Sequence, residues 1–294
     1  MWKCGSCQKE IKIPSRECPH GDHETELPSN LWLAGVDEPE LEKRFQACAE
    51  SIKETGRIEW LDNYQQLLND NLAVSINLHP ESLINLMSDA RLRYVNLHDN
   101  LRANVIRDYD KELASKRLAI DVMAFKYNGT QLNFGAVNIG ENVGLLSYGA
   151  ACMILKSVDI KCSVSFLENN VFSYYHESGG EISFKIPKGV RALWNSVAEL
   201  AIIKHTDEFF GCDELNVDRI SKILLRSTGN KATDQFIEAQ IIADISRATI
   251  AKIILNMKTW RKVKDDGLVG ETALHMQELM RERATNRIKL CKTK

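Results

Sequence analysis

Apolar residues alternate with small or polar ones from Leu72 to Leu78, and Leu72, Val74, Ile76 and Leu78 mark one face of a strand. The run stops at His79-Pro80. Pro80 suits a first helical turn, where its missing N–H costs nothing, and Glu81 suits the positive end of the helix dipole. Leu83, Ile84 and Met87 continue at helical spacing. His79 is therefore predicted at the carboxyl end of a strand, where α/β and α+β folds tend to place chemistry. A plain surface or N-cap histidine is the competing reading.

Ahead of this strand, a helix opening at Asp37 carries Leu41, Phe45, Cys48, Ala49 and Ile52 on one face, and a second carries Ile58, Leu61, Leu67 and Leu68. Behind it, Tyr94-Val-Asn96-Leu-His98-Asp99-Asn100 has the composition of a binding loop, or of a solvated connection. A polar helix with Tyr109, Leu113, Ile120 and Ala124 on one face follows. The pattern then turns β-rich, with strands predicted at Phe134–Ile139, Ala150–Leu155, Cys162–Phe166, Val171–Tyr175 and Glu181–Ile186. Val197–Ile203 reads as one more strand. Beyond Gly211 helices are predicted at Val217–Leu225, Thr233–Met257 and Glu271–Ile288, the last amphipathic and basic, with Arg281, Arg283 and Arg287 running on to Lys289, Lys292 and Lys294.

Short strands without intervening helices predict an α+β fold around a mixed, mostly antiparallel sheet flanked by helices. The predicted organisation is a metal module over 1–30, a helical segment over 31–71, an α+β core over 72–210 and a C-terminal helical region over 211–294. No phosphate loop or dinucleotide glycine fingerprint is present, which argues against a Walker-type NTPase and a Rossmann dehydrogenase.

The hydrophobic fraction of 44% and charged fraction of 27% are those of a folded globular chain. A net charge of −2 argues against coating nucleic acid by charge alone. No apolar run approaches the roughly 20 residues that span a bilayer, and Met-Trp-Lys-Cys lacks the blocks of a signal peptide, so a cytoplasmic protein without a membrane partner is expected.

Three of the eight cysteines cluster with two histidines: Cys4-Gly-Ser-Cys7, then Cys18-Pro-His20-Gly-Asp-His23. Two thiolates two residues apart can grip one ion from a single turn, and a second Cys/His pair closes the tetrahedron that Zn2+ prefers in structural sites. The expected ligands are Cys4, Cys7, Cys18 and His23, with His20 as the substitute for the fourth. A redox Cys-x-x-Cys would need a thioredoxin-like context that the sequence lacks. Glu199 stands out because a carboxylate in an apolar stretch faces solvent, finds a partner, or sits where its charge is used.

The order of blocks from 72 to 205 resembles an uncharacterised bacterial family associated with the ADP-ribosyltransferase fold. The matching text is Val-Ser-Ile-Asn-Leu-His79-Pro-Glu, Arg-Tyr94-Val-Asn96, Phe134-Gly-Ala-Val-Asn138, Tyr148-Gly149 ahead of Met-Ile-Leu-Lys156, and Ala-Glu199-Leu-Ala-Ile-Ile-Lys-His205. The resemblance implies a split, two-part β core and an enzyme that consumes NAD. It implies that His79 holds the nicotinamide-side ribose, that Tyr94 or Tyr148 stacks on nicotinamide with Asn96 nearby, and that Glu199 is the catalytic carboxylate. The chain departs from the family in the loop after Tyr94, where Leu101-Arg-Ala-Asn104 replaces a small-residue segment. The implied function is a toxin-like or defence transferase acting on a protein or nucleic-acid acceptor, which leaves open an antitoxin or chaperone companion. The alternative is a zinc-containing interaction protein without catalysis, motivated by the amphipathic termini.

Overall fold

The computed structural model describes residues 2–103, 111–140, 142–178, 181–210, 216–231, 233–256 and 288–291. The chain opens with a small antiparallel ribbon of β1 (Trp2–Lys3) and β2 (Glu10–Ile11). Two helices follow, α1 (Ser29–Glu54) and α2 (Ile58–Asn71). β3 (Leu72–Leu78) and α3 (Pro80–Ser88) then form the strand and helix that the alternation predicts, with His79 between them as the helix N-cap residue. Gly149 is required at this corner: at φ +149° its backbone passes so close that a Cβ would lie 2.2 Å from the Leu78 carbonyl carbon.

After α4 (Leu97–Arg102) and α5 (Lys111–Phe125) come β4 (Asn133–Ile139), β5 (Ala151–Leu155), the short α6 (Ser157–Ile160) and β6 (Val164–Leu167). A separate hairpin, β7 (Tyr175–Ser178) with β8 (Glu181–Phe184), precedes β9 (Arg191–Leu193), α7 (Val197–Phe210) and α8 (Val217–Leu224). The described chain closes with β10 (Glu238–Ile241), β11 (Ile250–Asn256) and β12 (Ile288–Cys291).

Eight of these strands make one sheet in the order β12-β11-β5-β3-β4-β10-β6-β9. Every neighbouring pair is antiparallel except β11 with β12. The sheet is continuous, where the resemblance implied a split core, because β10 from the C-terminal part pairs with both β4 and β6. One face carries Val74, Ile76, Val137, Met153, Phe166 and Ile241 into a core closed by helices that include α1, α2, α7 and α8. Within that layer Trp60 stacks on Tyr64 and on Phe210, with ring centroids 5.5 Å and 5.7 Å away.

Several predicted elements are corrected. Val197–Ile203 belongs to helix α7, since an apolar run that includes Val197, Ala198, Leu200, Ala201 and Ile202 fits a buried helix as well as a buried strand. The helix predicted over Thr233–Met257 is instead β10, a turn capped reciprocally by Ser246 and Thr249, and β11. Val171–Tyr174 is a tight helical turn begun by the Asn170 side chain, so the strand starts only at Tyr175. α1 begins at Ser29, ahead of Asp37, and runs through Pro39. Tyr109 and most of the basic segment predicted over Glu271–Ile288 lie outside the described residues. No described helix is long and apolar enough to cross a membrane.

Candidate functional site

The opposite face of the sheet is polar at its centre. Strand alternation and register place Glu238 and Gln240 of β10 on the same side as Ala136 and Phe134 of β4, Ser75 of β3 and Ser165 of β6. Glu238, Gln240, Ser75 and Ser165 are all at most 2% exposed. Buried polar groups at this density must satisfy one another or serve a ligand.

Arg117 of α5 packs against this face. Its guanidinium lies 4.2 Å from the centre of the Phe134 ring and 5.1 Å from that of Phe172. One helical turn on, Asp121 accepts from Arg117 Nε at 2.7 Å, and the same carboxylate oxygen lies 2.8 Å from His98 Nε2. Burial works against the guanidinium charge, but Asp121 and Glu238 outweigh it and hold Arg117 above its ordinary range. Arg117 Nη2 and Ser75 Oγ are buried and have no hydrogen-bond partner among the described residues.

Between Arg117 and Glu238 lies a cleft of about 70 Å³, lined also by Ser75, Asn77, Tyr148 and Asn170. Asn77 fixes its rim. The Asn77 side chain donates to the carbonyls of Val143 and Gly149 at 3.1 Å and accepts from Leu145 N–H at 2.8 Å, pinning the loop that carries Tyr148. The Tyr148 ring meets Phe236 edge-on at 6.4 Å, with Lys231 Nζ 5.0 Å from its centre. Burial drives the Glu238 carboxyl up to about 7, against Arg117 and a hydrogen bond from Gln240. The result is a cation, a carboxylate with raised proton affinity and an aromatic ring around one opening.

Of the predicted site residues, only Tyr148 lines this cleft. His79 is exposed and makes no side-chain cap bond. Tyr94 packs on the helix-covered core, its N–H bonded to the Ile245 carbonyl at 2.7 Å, and burial raises its hydroxyl. Asn96 caps α4, accepting from Asp99 N–H and donating to the Asp99 carboxylate, each at 2.9 Å. Glu199 is half-buried in the first turn of α7, where burial and then Glu42 and Glu38 push it up to about 7. No described contact joins His79, Tyr94 and Glu199. Sequence reasoning missed Glu238, Arg117 and Asp121. The signals were there: period-2 polarity at Glu238 and Gln240, and an i,i+4 ion pair on a helix.

A second cluster lies in the N-terminal ribbon. The ligand atoms of Cys4, Cys7, Cys18 and His23 all fall within 4.8 Å of one another, and this group could hold a metal ion. Cys7 and Cys18 sulfurs are 3.7 Å apart, and Cys4 Sγ lies 3.3 Å from His23 Nε2. A tetrahedral ion with bonds of about 2.3 Å to sulfur spaces its sulfurs about 3.8 Å apart, so the donors fit. His20 stands apart, with Nε2 2.9 Å from the Glu10 carbonyl oxygen. The Cys7 backbone N–H and then His23 bring Cys4 down to about 6, while burial raises Cys18.

No protein-family model matches the chain, and no curated protein matches it.

Proposed function

We propose that the chain is a NAD-consuming, ADP-ribosyltransferase-like enzyme whose reaction centre is the cleft between Arg117 and Glu238. The observation that carries this reading is the buried Glu238 carboxylate facing a buried, incompletely paired Arg117 across an opening that also presents Tyr148. Cleavage of the nicotinamide–ribose bond sends its electron pair to nicotinamide and develops positive charge on the sugar. An ionised Glu238 stabilises that charge more in the transition state than in the ground state. The open Arg117 donor suits a phosphate or carboxamide oxygen, and the Tyr148 ring offers a stacking face for nicotinamide. An acceptor nucleophile, protein or nucleic acid, then bonds to the sugar carbon and releases a proton. Drug-sized pockets run to roughly 300–1,000 Å³, so this smaller cleft suits the reacting end of a dinucleotide and leaves the remainder outside.

The test is incubation with labelled NAD and cell extract, scored separately for label on protein and on nucleic acid. Glu238→Gln keeps the shape and removes the charge, and its kcat should fall by roughly a hundredfold or more, the scale of losing one electrostatic stabiliser. Glu199→Gln should stay within a few-fold of wild type. A wild-type protein that neither binds nor consumes NAD, with acceptors present, would sink the reading.

The Cys4, Cys7, Cys18 and His23 cluster favours one other reading, a zinc-containing interaction protein. Zinc there would staple a ribbon that has little core of its own. This reading stands if zinc is bound and NAD is not.

A further inference from the structure

We propose that Asn30, Ser165 and Gln240 are positioning residues for Glu238, a single file of hydrogen-bond donors that fixes the direction of its carboxylate. Asn30, in the first turn of α1, donates from Nδ2 to Ser165 Oγ at 3.1 Å and to the Gln240 carbonyl at 3.0 Å. Ser165 Oγ donates to Gln240 Oε1 at 3.1 Å. Gln240 Nε2 then donates to Glu238 Oε1 at 3.1 Å. The three residues come from α1, β6 and β10, and none is more than 2% exposed.

At each link one side-chain N–H or O–H runs towards the carboxylate, while Asn30 Nδ2 and Gln240 Nε2 also reach the main-chain carbonyls of Gln240 and Glu238 at 3.0 Å and 3.4 Å. Donors in series polarise one another, and the last one strengthens as a partner for an anion. A carboxyl group in dry surroundings would otherwise turn its protonated form to the nearest acceptor. The file instead reserves Oε1 as an acceptor. Its origin is anchored as well: the Ser29 N–H donates to Asn128 Oδ1 at 2.8 Å, and the Ser29 hydroxyl donates to the Phe125 carbonyl at the end of α5. The same first turn of α1 thus touches the helix that carries Arg117 and the strand that carries Glu238.

Other groups also act on Glu238. They are Arg117 and Asp121 from α5, the Val171 backbone N–H, Tyr174 and, from α7, Lys204, while Tyr148 lines the same cleft. None of them depends on Ser165 for its place, so a change at Ser165 isolates the file.

The inference deepens the reading of Glu238 as the reaction's carboxylate and rests on that reading for its catalytic consequence. Its test does not need turnover. The full chain, labelled with 13C at glutamate side-chain carboxyls, is titrated by NMR, with Glu238→Gln identifying the signal. Gln240→Leu removes the direct donor and should raise the Glu238 midpoint by about one unit, the size of one hydrogen bond to a charged group. Ser165→Ala should move it in the same direction by a few tenths of a unit, the effect of weakening one bond in series. Ser165→Thr, which keeps the hydroxyl, should restore the wild-type midpoint. If Gln240→Leu does not fold, the Ser165 pair decides alone. A midpoint in Ser165→Ala equal to wild type overturns the file, even where Gln240→Leu shifts. In a wild type that consumes no NAD the transferase reading falls, while the titration still decides the positioning.

Discussion

Glu238 combines two roles that oppose each other. Its folded-state midpoint of about 7 lies above the ordinary 4.5, so between those values the folded chain holds a proton that the unfolded chain releases. Wild-type stability therefore falls as pH rises from 4.5 to about 7, by on the order of 3 kcal/mol at one pKa unit per 1.36 kcal/mol. Glu238→Gln carries no such cost. Its melting temperature should match wild type near pH 4.5 and exceed it at pH 8, read by thermal unfolding across that range. A site residue whose removal stabilises the fold is the usual trade-off of function against stability. Asp121 should behave in the opposite way. It is fully buried and holds both Arg117 and His98. Asp121→Ala strands a buried guanidinium and should cost about 3–5 kcal/mol by denaturant unfolding.

At the scale of elements, the N-terminal ribbon should respond separately from the sheet. The purified chain is expected to carry about one zinc, and Cys7→Ser should release it, measured by elemental analysis. Exchange protection should then fall across 2–25 and persist in β3 and β4, because Val74, Ile76 and Val137 lie in the helix-covered core, away from the cysteines. The Cys4, Cys7, Cys18 and His23 cluster and β3 were legible in the sequence for a shared reason. Ligand spacing and strict alternation are local signals, although spacing alone left His20 beside His23 as a candidate fourth ligand. α7 and β10 were not legible. In α7 the apolar residues are buried all round, so period carries no information. In β10 the period-2 polarity of Glu238 and Gln240 is only two residues long and reads as a solvent-facing strand side, and only pairing with β4 and β6, distant in sequence, buries them. The site is hidden from sequence reading by the same fact, since its polar residues mark an interior.

For the whole molecule, the sheet separates two kinds of work. One face is packed against helices and holds the fold together, and there Ile76→Ala should cost about 2–5 kcal/mol while leaving the cleft's polar contacts in place. The other face gathers Ser75, Arg117, Tyr148 and Glu238 from four separate stretches of chain, which only long-range pairing can assemble. Hydrogen–deuterium exchange on adding NAD tests this location most directly. The expected result is new protection confined to 134–136, 145–148 and 236–240, with 79–84 and 197–203 unchanged. Absence of protection around the cleft, with or without a response at His79 or Glu199, would contradict the assignment of the reaction centre to Arg117 and Glu238.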